Sequence, residues 1–188
     1  MNKIEAITTS EYKKIDINLD IIYGYGSSPF GKTMIATTSK GICSLEFYDD
    51  SYEDIFSRLQ TTWKGSKFIH DDKKAQELLD KIFIKKESFN LFVKGTIFQI
   101  NVWKAILSIK SADTLTYSDV AQLVNKTKAV RAVASAIGSN HIGFLIPCHR
   151  VISKSGAMGG YRWGINRKKA ILDYEKSRES LDQVQCAG

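Results

Sequence analysis

The sequence predicts an α+β fold: a small N-terminal antiparallel sheet with helices, then a mostly helical C-terminal domain containing a helix-turn-helix. Three observations predict it. Runs of β-branched and aromatic residues separated by Gly, Ser and Pro fill residues 19–48. From residue 96 onward the apolar positions recur at helical spacing. The charge balance also changes between them: residues 1–93 hold 13 Lys+Arg against 14 Asp+Glu, whereas residues 94–175 hold 12 against 4. The boundary is therefore set at Val93/Lys94, giving domains 1–93 and 94–188.

Taken in order, residues 19–25, 32–38 and 42–48 read as strands, with Ser39-Lys40-Gly41 as the turn of a hairpin between the last two. Helices follow at 52–62 and 73–83; in the second, Ala75, Leu78, Leu79 and Ile82 fall at i, i+3, i+4, i+7. A short extended run, 89–93, closes the first domain. In the second, Phe98, Val102, Ile106 and Ile109 make one helix face over 96–109, widened by Trp103 and Leu107. Thr116 or Ser118 caps a helix carrying Val120, Leu123 and Val124. After the turn 125–128, Val130, Val133, Ala134 and Ile137 make the apolar face of a third helix. Two short helices joined by a tight turn read as a helix-turn-helix, although a generic helical hairpin gives the same pattern. The opposite face of the third helix presents Arg131, Ser135 and Gly138 at i, i+4, i+7, one cation beside two small residues. Such a face suits the minor groove of DNA, about 6 Å wide, and the basic second domain fits a polyanionic partner.

Composition narrows the function classes. The 188 residues are 43% hydrophobic and 25% charged, and no apolar run approaches the ~20 residues of a membrane span. The polar start has no signal-peptide core, so a cytoplasmic protein is expected. Three scattered cysteines make neither a disulfide framework nor a thiolate zinc site. His70, His141 and His149 do not group with them, so no metal and no cofactor are expected. Cys43, inside an apolar stretch, reads as core, and Cys186 as an exposed thiol near the end. No extended hydrophobic seam stands out, so a monomer is expected.

Cys148 differs. An apolar run, Ile142-Gly143-Phe144-Leu145-Ile146, stops at Pro147, which holds its predecessor extended and bars a helix. A thiol, an imidazole and a guanidinium follow directly as Cys148, His149 and Arg150. The thiolate is the nucleophile, positive charge favours it, and His149 can take the proton directly or through a water.

The segment Ile146-Pro147-Cys148-His149-Arg150-Val151 resembles the O6-alkylguanine-DNA alkyltransferases, the methylated-DNA–protein-cysteine methyltransferases. Gly95-Thr96-Ile97-Phe98-Gln99, Val102-Trp103, Thr116-Tyr117-Ser118, the stretch Lys128 to Val133 and Gly159-Gly160-Tyr161-Arg162-Trp163-Gly164 support it in family order. The likeness is greatest to the alkyltransferase half of the bacterial adaptive-response protein. It implies single, irreversible transfer of an alkyl group from O6-alkylguanine in double-stranded DNA to Cys148. By the same resemblance His149 activates the thiol through a water and Glu175 holds the imidazole. Asn140 braces the turn carrying the site. Tyr117 crowds the target phosphate and assists the leaving guanine, Arg131 fills the gap in the base stack, and Ser135 shares its face. Tyr161 and Arg162 match positions lining the guanine pocket. The nucleotide must leave the duplex, because O6 inside it is beyond the reach of a pocket thiolate.

Two positions depart from the pattern: Ala112-Asp113 replaces a Gly-containing turn, and His141 follows Asn140 where Pro or Lys is common. The adaptive-response protein's cysteine-rich zinc domain and activator segment have no counterpart here, so the transcriptional role is not expected. The competing readings are a lesion-recognition protein that removes nothing, a thiol hydrolase using Cys148 and His149, and a plain DNA-binding regulator. A hydrolase needs an oxyanion hole and turnover, and sequence-adjacent Cys and His make a poor dyad.

Overall fold

The computed structural model describes residues 2–14 and 19–186, with side chains as far as residue 180. In chain order the elements are β1 (Lys3–Thr8), α1 (Thr9–Lys14), β2 (Asp20–Ser28), β3 (Gly31–Thr38), β4 (Gly41–Phe47) and α2 (Glu53–Thr62). Then come β5 (Lys67–His70), α3 (Asp72–Phe83), β6 (Asn90–Gly95), α4 (Ile97–Leu107), β7 (Leu115–Thr116) and α5 (Tyr117–Leu123). The chain finishes with α6 (Val130–Gly138), a 3-10 turn over Cys148–Arg150, β8 (Val151–Ile152) and α7 (Ile165–Cys186). Packing divides these into two compact units, Met1–Ile100 with His141–Leu145, and Asn101–Asn140 with Ile146–Gly188. The charge change at Val93/Lys94 thus does not coincide with the packing boundary, which falls inside α4.

The first unit is built on a six-stranded sheet of order β1-β6-β4-β3-β2-β5. The expected antiparallel sheet is corrected to a mixed one. The meander β2-β3-β4 is antiparallel, but β1 runs parallel to β6, β6 to β4, and β5 to β2. The cause is non-local pairing: β6 arrives after two helical crossovers, and parallel neighbours need such connections. Strand β4 meets β6 closely at Gly41, whose φ is +137° and whose Cβ, if added, would lie 2.2 Å from the Asn90 carbonyl oxygen. Only glycine fits both the backbone and the gap.

Along β2 the residues alternate between faces. Ile21, Tyr23 and Tyr25 join Ile55, Leu59 and Trp63 of the α2 side, with Met34, Ala36, Cys43 and Phe92. Gly24 and Gly26 face α3, where added Cβ atoms would meet the Asp71 carbonyl oxygen at 2.5 Å and the Gln76 side chain at 2.7 Å. One face of the sheet is thus covered by α2 together with Tyr12 of α1, and the other by α3. Cys43 is buried in this core, and Trp63 stacks on Phe92 at 5.1 Å. Helix α3 starts where Asp71 accepts from the Lys74 amide at 2.9 Å, an N-cap. Residues 141–145 join this unit through a parallel bridge between Leu45 and Ile142, with Leu45 N donating to His141 O at 2.9 Å.

In the second unit β7 and β8 pair in parallel. Helix α5 is capped by Thr116 and not Ser118: its hydroxyl accepts from Asp119 N, and the Asp119 carboxylate accepts from Thr116 N, a full capping box. Asn125, at φ 55°, turns the chain between α5 and α6. Val133, Ala136 and Ile137 are the buried face of α6, and Trp103 Nε1 of α4 donates to Ala136 O at 2.8 Å. The Cys186 thiol lies outside the described side chains.

Candidate active site

Pro147, at φ −80°, ends the apolar segment and sets the 3-10 turn that carries Cys148, His149 and Arg150. Cys148 and His149 are both buried, at 6% and 0% exposure. Asn140, just beyond the end of α6, is buried too. Its Nδ2 donates to Ile146 O at 3.1 Å and lies 3.4 Å from Cys148 Sγ. One amide thus braces the turn and points a proton at the sulfur.

Behind the thiol stands a buried charged network. His149 Nε2 lies 2.9 Å from Glu175 Oε1 on α7. Arg150 grips the same carboxylate through Nε at 3.1 and 3.2 Å and Nη2 at 2.7 Å, while its Nη1 donates to Ile109 O at 2.5 Å. Ala112 N donates to Glu175 Oε2 at 3.3 Å. Burial alone would raise the Glu175 carboxyl, but the hydrogen bonds from His149 and Arg150 outweigh it and hold it at about 2. Burial pushes the His149 imidazole below its ordinary value, against the pull of Glu175. The arrangement is therefore an ionised Glu175, kept so by Arg150, orienting a neutral imidazole.

Burial pushes the Cys148 thiol up to about 11, against the Asn140 hydrogen bond and the charges of Lys168 and Arg162. A proton acceptor and positive charge are needed to make the thiolate here. Lys168 supplies charge from an unexpected place. It is fully buried, and its Nζ donates to Val151 O at 2.6 Å and to Met158 O. Burial pulls its pKa down to about 8, with Cys148 opposing. Sequence reasoning missed both Lys168 and the anchoring role of Arg150. The available signal for Lys168 was helical register: Lys168, Ile171, Leu172 and Glu175 lie at i, i+3, i+4, i+7 and all are buried.

Two tyrosines lie within electrostatic reach of the thiol. Burial raises the Tyr117 and Tyr161 hydroxyls, with a nearby Cys148 thiolate adding to both. Gly159, at φ +64°, would place a Cβ 3.0 Å from the Tyr117 hydroxyl, so the loop after the cysteine passes directly over that phenol. Tyr161 packs edge-on against Trp163 at 5.2 Å. Arg162 is exposed and donates to Gly138 O at 3.2 Å, at the end of α6. Arg131 and Ser135 are exposed on that helix. The structure therefore gathers Cys148, Asn140, His149 and Glu175 by direct contact, and brings Tyr117, Tyr161 and Arg162 within electrostatic reach. Among the described residues no three His, Cys, Asp or Glu side chains gather into a metal-binding group.

The family profile described as the 6-O-methylguanine DNA methyltransferase DNA binding domain matches residues 97–177. The inducible methylated-DNA–protein-cysteine methyltransferase of Bacillus subtilis is 39% identical over 152 residues, covering 78% of this chain and 85% of that protein. This chain belongs to the methylated-DNA–protein-cysteine methyltransferase family. Other relatives in the family are longer. The regulatory protein ada of Salmonella typhimurium is 32% identical over 180 residues, 93% of this chain, and the chain spans about half that relative's length, 51%. Among solved structures, Mycobacterium tuberculosis OGT in complex with DNA matches with a TM-score of 0.68 and 33% identity, covering 84% of this chain and 94% of that one. The mixed α/β architecture of this methyltransferase-family chain is thus that of a protein crystallised on DNA.

Proposed function

We propose that this chain repairs DNA by moving an alkyl group from the O6 of a flipped-out guanine to Cys148, once per molecule. The observation that carries the reading is the Cys148 thiol, buried in the Pro-Cys-His-Arg turn, facing Asn140 Nδ2 and backed by His149 and Glu175. The thiol proton passes to the imidazole through a water, on the ring nitrogen not turned to Glu175. The thiolate then attacks the alkyl carbon. A C–S bond forms, the C–O6 bond breaks, and its electron pair leaves with guanine, which takes up a proton. The thioether does not hydrolyse at neutral pH, so the protein is consumed.

Asn140 fixes the sulfur, and Tyr117 crowds the target phosphate and assists guanine as it leaves. Arg131 occupies the gap in the base stack, with Ser135 allowing close approach of α6. Tyr161 and Arg162 line the guanine pocket. The partner is double-stranded DNA carrying O6-alkylguanine, no cofactor takes part, and the protein acts as a cytoplasmic monomer. Among the described residues no helix is long and apolar enough to cross a membrane.

The test is intact and peptide mass spectrometry after incubation with a duplex containing one O6-methylguanine. One methyl on the Cys148 peptide, saturating at one per protein and absent from Cys148→Ala, is expected. Binding of lesion DNA with no methyl transferred would overturn the transfer reading in favour of recognition alone. Repeated turnover of an ester by Cys148 would favour a thiol hydrolase.

A further inference from the structure

The first 93 residues are nearly neutral in sum, yet the fold sorts their charges. Tyr12 of α1 is buried against Trp63, ring centroids 5.7 Å apart and nearly perpendicular. Its hydroxyl donates to Lys64 O at 2.9 Å and lies 3.3 Å from Ser66 Oγ. This one side chain pins the C-terminal end of α1, with Lys13 and Lys14, to the turn carrying Lys64 and leading into Lys67, the first residue of β5. Lys94 enters from β6: its Nζ sits 3.7 Å over the Tyr12 ring and donates to Thr62 O. Burial lowers the Lys94 pKa, and the charge of Lys13 lowers it further, so the two ammonium groups feel each other.

Lys13, Lys14, Lys64 and Lys67 are all exposed. Among the described residues two carboxylates border them. Glu11 is engaged by the Thr8 amide and hydroxyl at 2.8 and 2.6 Å, and Asp20 stands opposite Lys67 in the β2–β5 register. Among the described residues cations still outnumber anions around Tyr12. Isolated lysines on a solvated face are ordinary, but convergence of like charges around a half-buried one costs stability, and a polyanion relieves that cost.

We propose that Lys13, Lys14, Lys64 and Lys67, gathered around Tyr12, form a second phosphate-contacting surface for double-stranded DNA in the first unit. It goes beyond the alkyl-transfer reading, which places every DNA contact in residues 117–162. The surface reads no sequence. It adds salt-sensitive affinity, releasing counterions as each ammonium meets a phosphate.

The test compares three full-length proteins on a lesion-free duplex of about 60 base pairs, with salt varied between about 50 and 200 mM. They are the wild type, Lys13→Gln/Lys14→Gln/Lys64→Gln/Lys67→Gln, and a control, Lys3→Gln/Lys32→Gln/Lys73→Gln/Lys85→Gln, which removes equal charge from other elements of the same unit. Each phosphate contact contributes about 0.9 to the slope of log affinity against log salt, so the patch variant is expected to lose roughly 2–4 from that slope. The control is expected to keep the wild-type slope. An unchanged slope in the patch variant, or an equal fall in both variants, overturns the proposal. Methyl transfer from a short O6-methylguanine duplex is followed in parallel. Its absence in wild type would sink the repair reading, while the slope comparison would still decide the surface.

Discussion

His149 Nε2 and Glu175 Oε1 lie 2.9 Å apart in a site where neither side chain is more than 4% exposed. Arg150 holds the same carboxylate with three contacts, so one anion serves a neutral ring and a permanent cation together. The arrangement fixes which ring nitrogen faces the carboxylate, and so which one can serve the thiol. It also makes the site's integrity depend on pH.

The Glu175 carboxyl is held at about 2 in the folded protein, against an ordinary value of 4.5. A depressed folded value gives stability that is complete above the ordinary value and lost as pH falls through the folded one. Denaturant unfolding should therefore show stability falling between about pH 5 and pH 2, by about 3 kcal/mol from this group. Glu175→Gln should be less stable than wild type at pH 7, and the gap should narrow as the pH falls below about 5 and close only near pH 2. A gap independent of pH would refute the assignment.

Ala112 adopts φ 60° while its amide donates to Glu175. A left-handed conformation at a residue with a Cβ costs about 1 kcal/mol, which glycine avoids at some cost in unfolded-state entropy. Ala112→Gly is expected to be neutral to stabilising, by up to about 1 kcal/mol, with the Cys148 alkylation rate unchanged. Thermal unfolding checks it; clear destabilisation would mean the Ala112 methyl makes packing contacts that outweigh the strain.

In the first unit Glu46, at 1% exposure, joins Arg58 at 3.2 Å and His141 at 3.1 Å. Arg58 is partly exposed, so solvent screens part of the attraction, and the main penalty on mutation is an incompletely satisfied buried polar group. Glu46→Gln should cost about 1–2 kcal/mol and Glu46→Ala more, read from denaturant midpoints at constant m. Equal stability of all three proteins would show the cluster to be structurally idle.

The regions legible in sequence were those whose partners are close along the chain. The β3–β4 hairpin and the register of α3 follow from local periodicity and turn chemistry, whereas on α6 only Val133 and Ile137 of the expected face are buried, with Ala136 in place of Val130 and Ala134. Strand β1 was not legible: Lys3-Ile4-Glu5-Ala6 reads as a polar tail until its partner, β6, is known some ninety residues away. Strand β5 has four residues with one partly buried, too few for a period-two pattern to register. In the site, Cys148 and His149 were legible from the Pro-Cys-His-Arg segment itself, Asn140 and Glu175 came from the resemblance alone, and the contacts of all four follow from the fold. Lys168 was hidden in the run Arg167-Lys168-Lys169, where only the helix's rotation tells which lysine turns inward.

That rotation makes Lys168 the most informative residue to change. Its ammonium, buried and tied to two backbone carbonyls, carries positive charge toward a thiol that burial alone would keep protonated. Lys168→Met removes charge and donors together; Lys168→Arg keeps the charge but fits the carbonyl pair poorly. The pH profile of Cys148 alkylation by iodoacetamide in the free, folded protein separates these contributions. With Lys168→Met the thiol midpoint should move to higher pH, and the rate at pH 7 should fall about tenfold for each 1.4 kcal/mol of lost thiolate stabilisation. With Lys168→Arg the midpoint should stay nearer the wild-type value, even if DNA-dependent transfer slows through displacement of the loop at Met158. If Lys168→Met leaves the midpoint in place while transfer from O6-methylguanine still falls, Lys168 acts only by holding the carbonyls of Val151 and Met158, and the thiolate depends on Asn140 and His149.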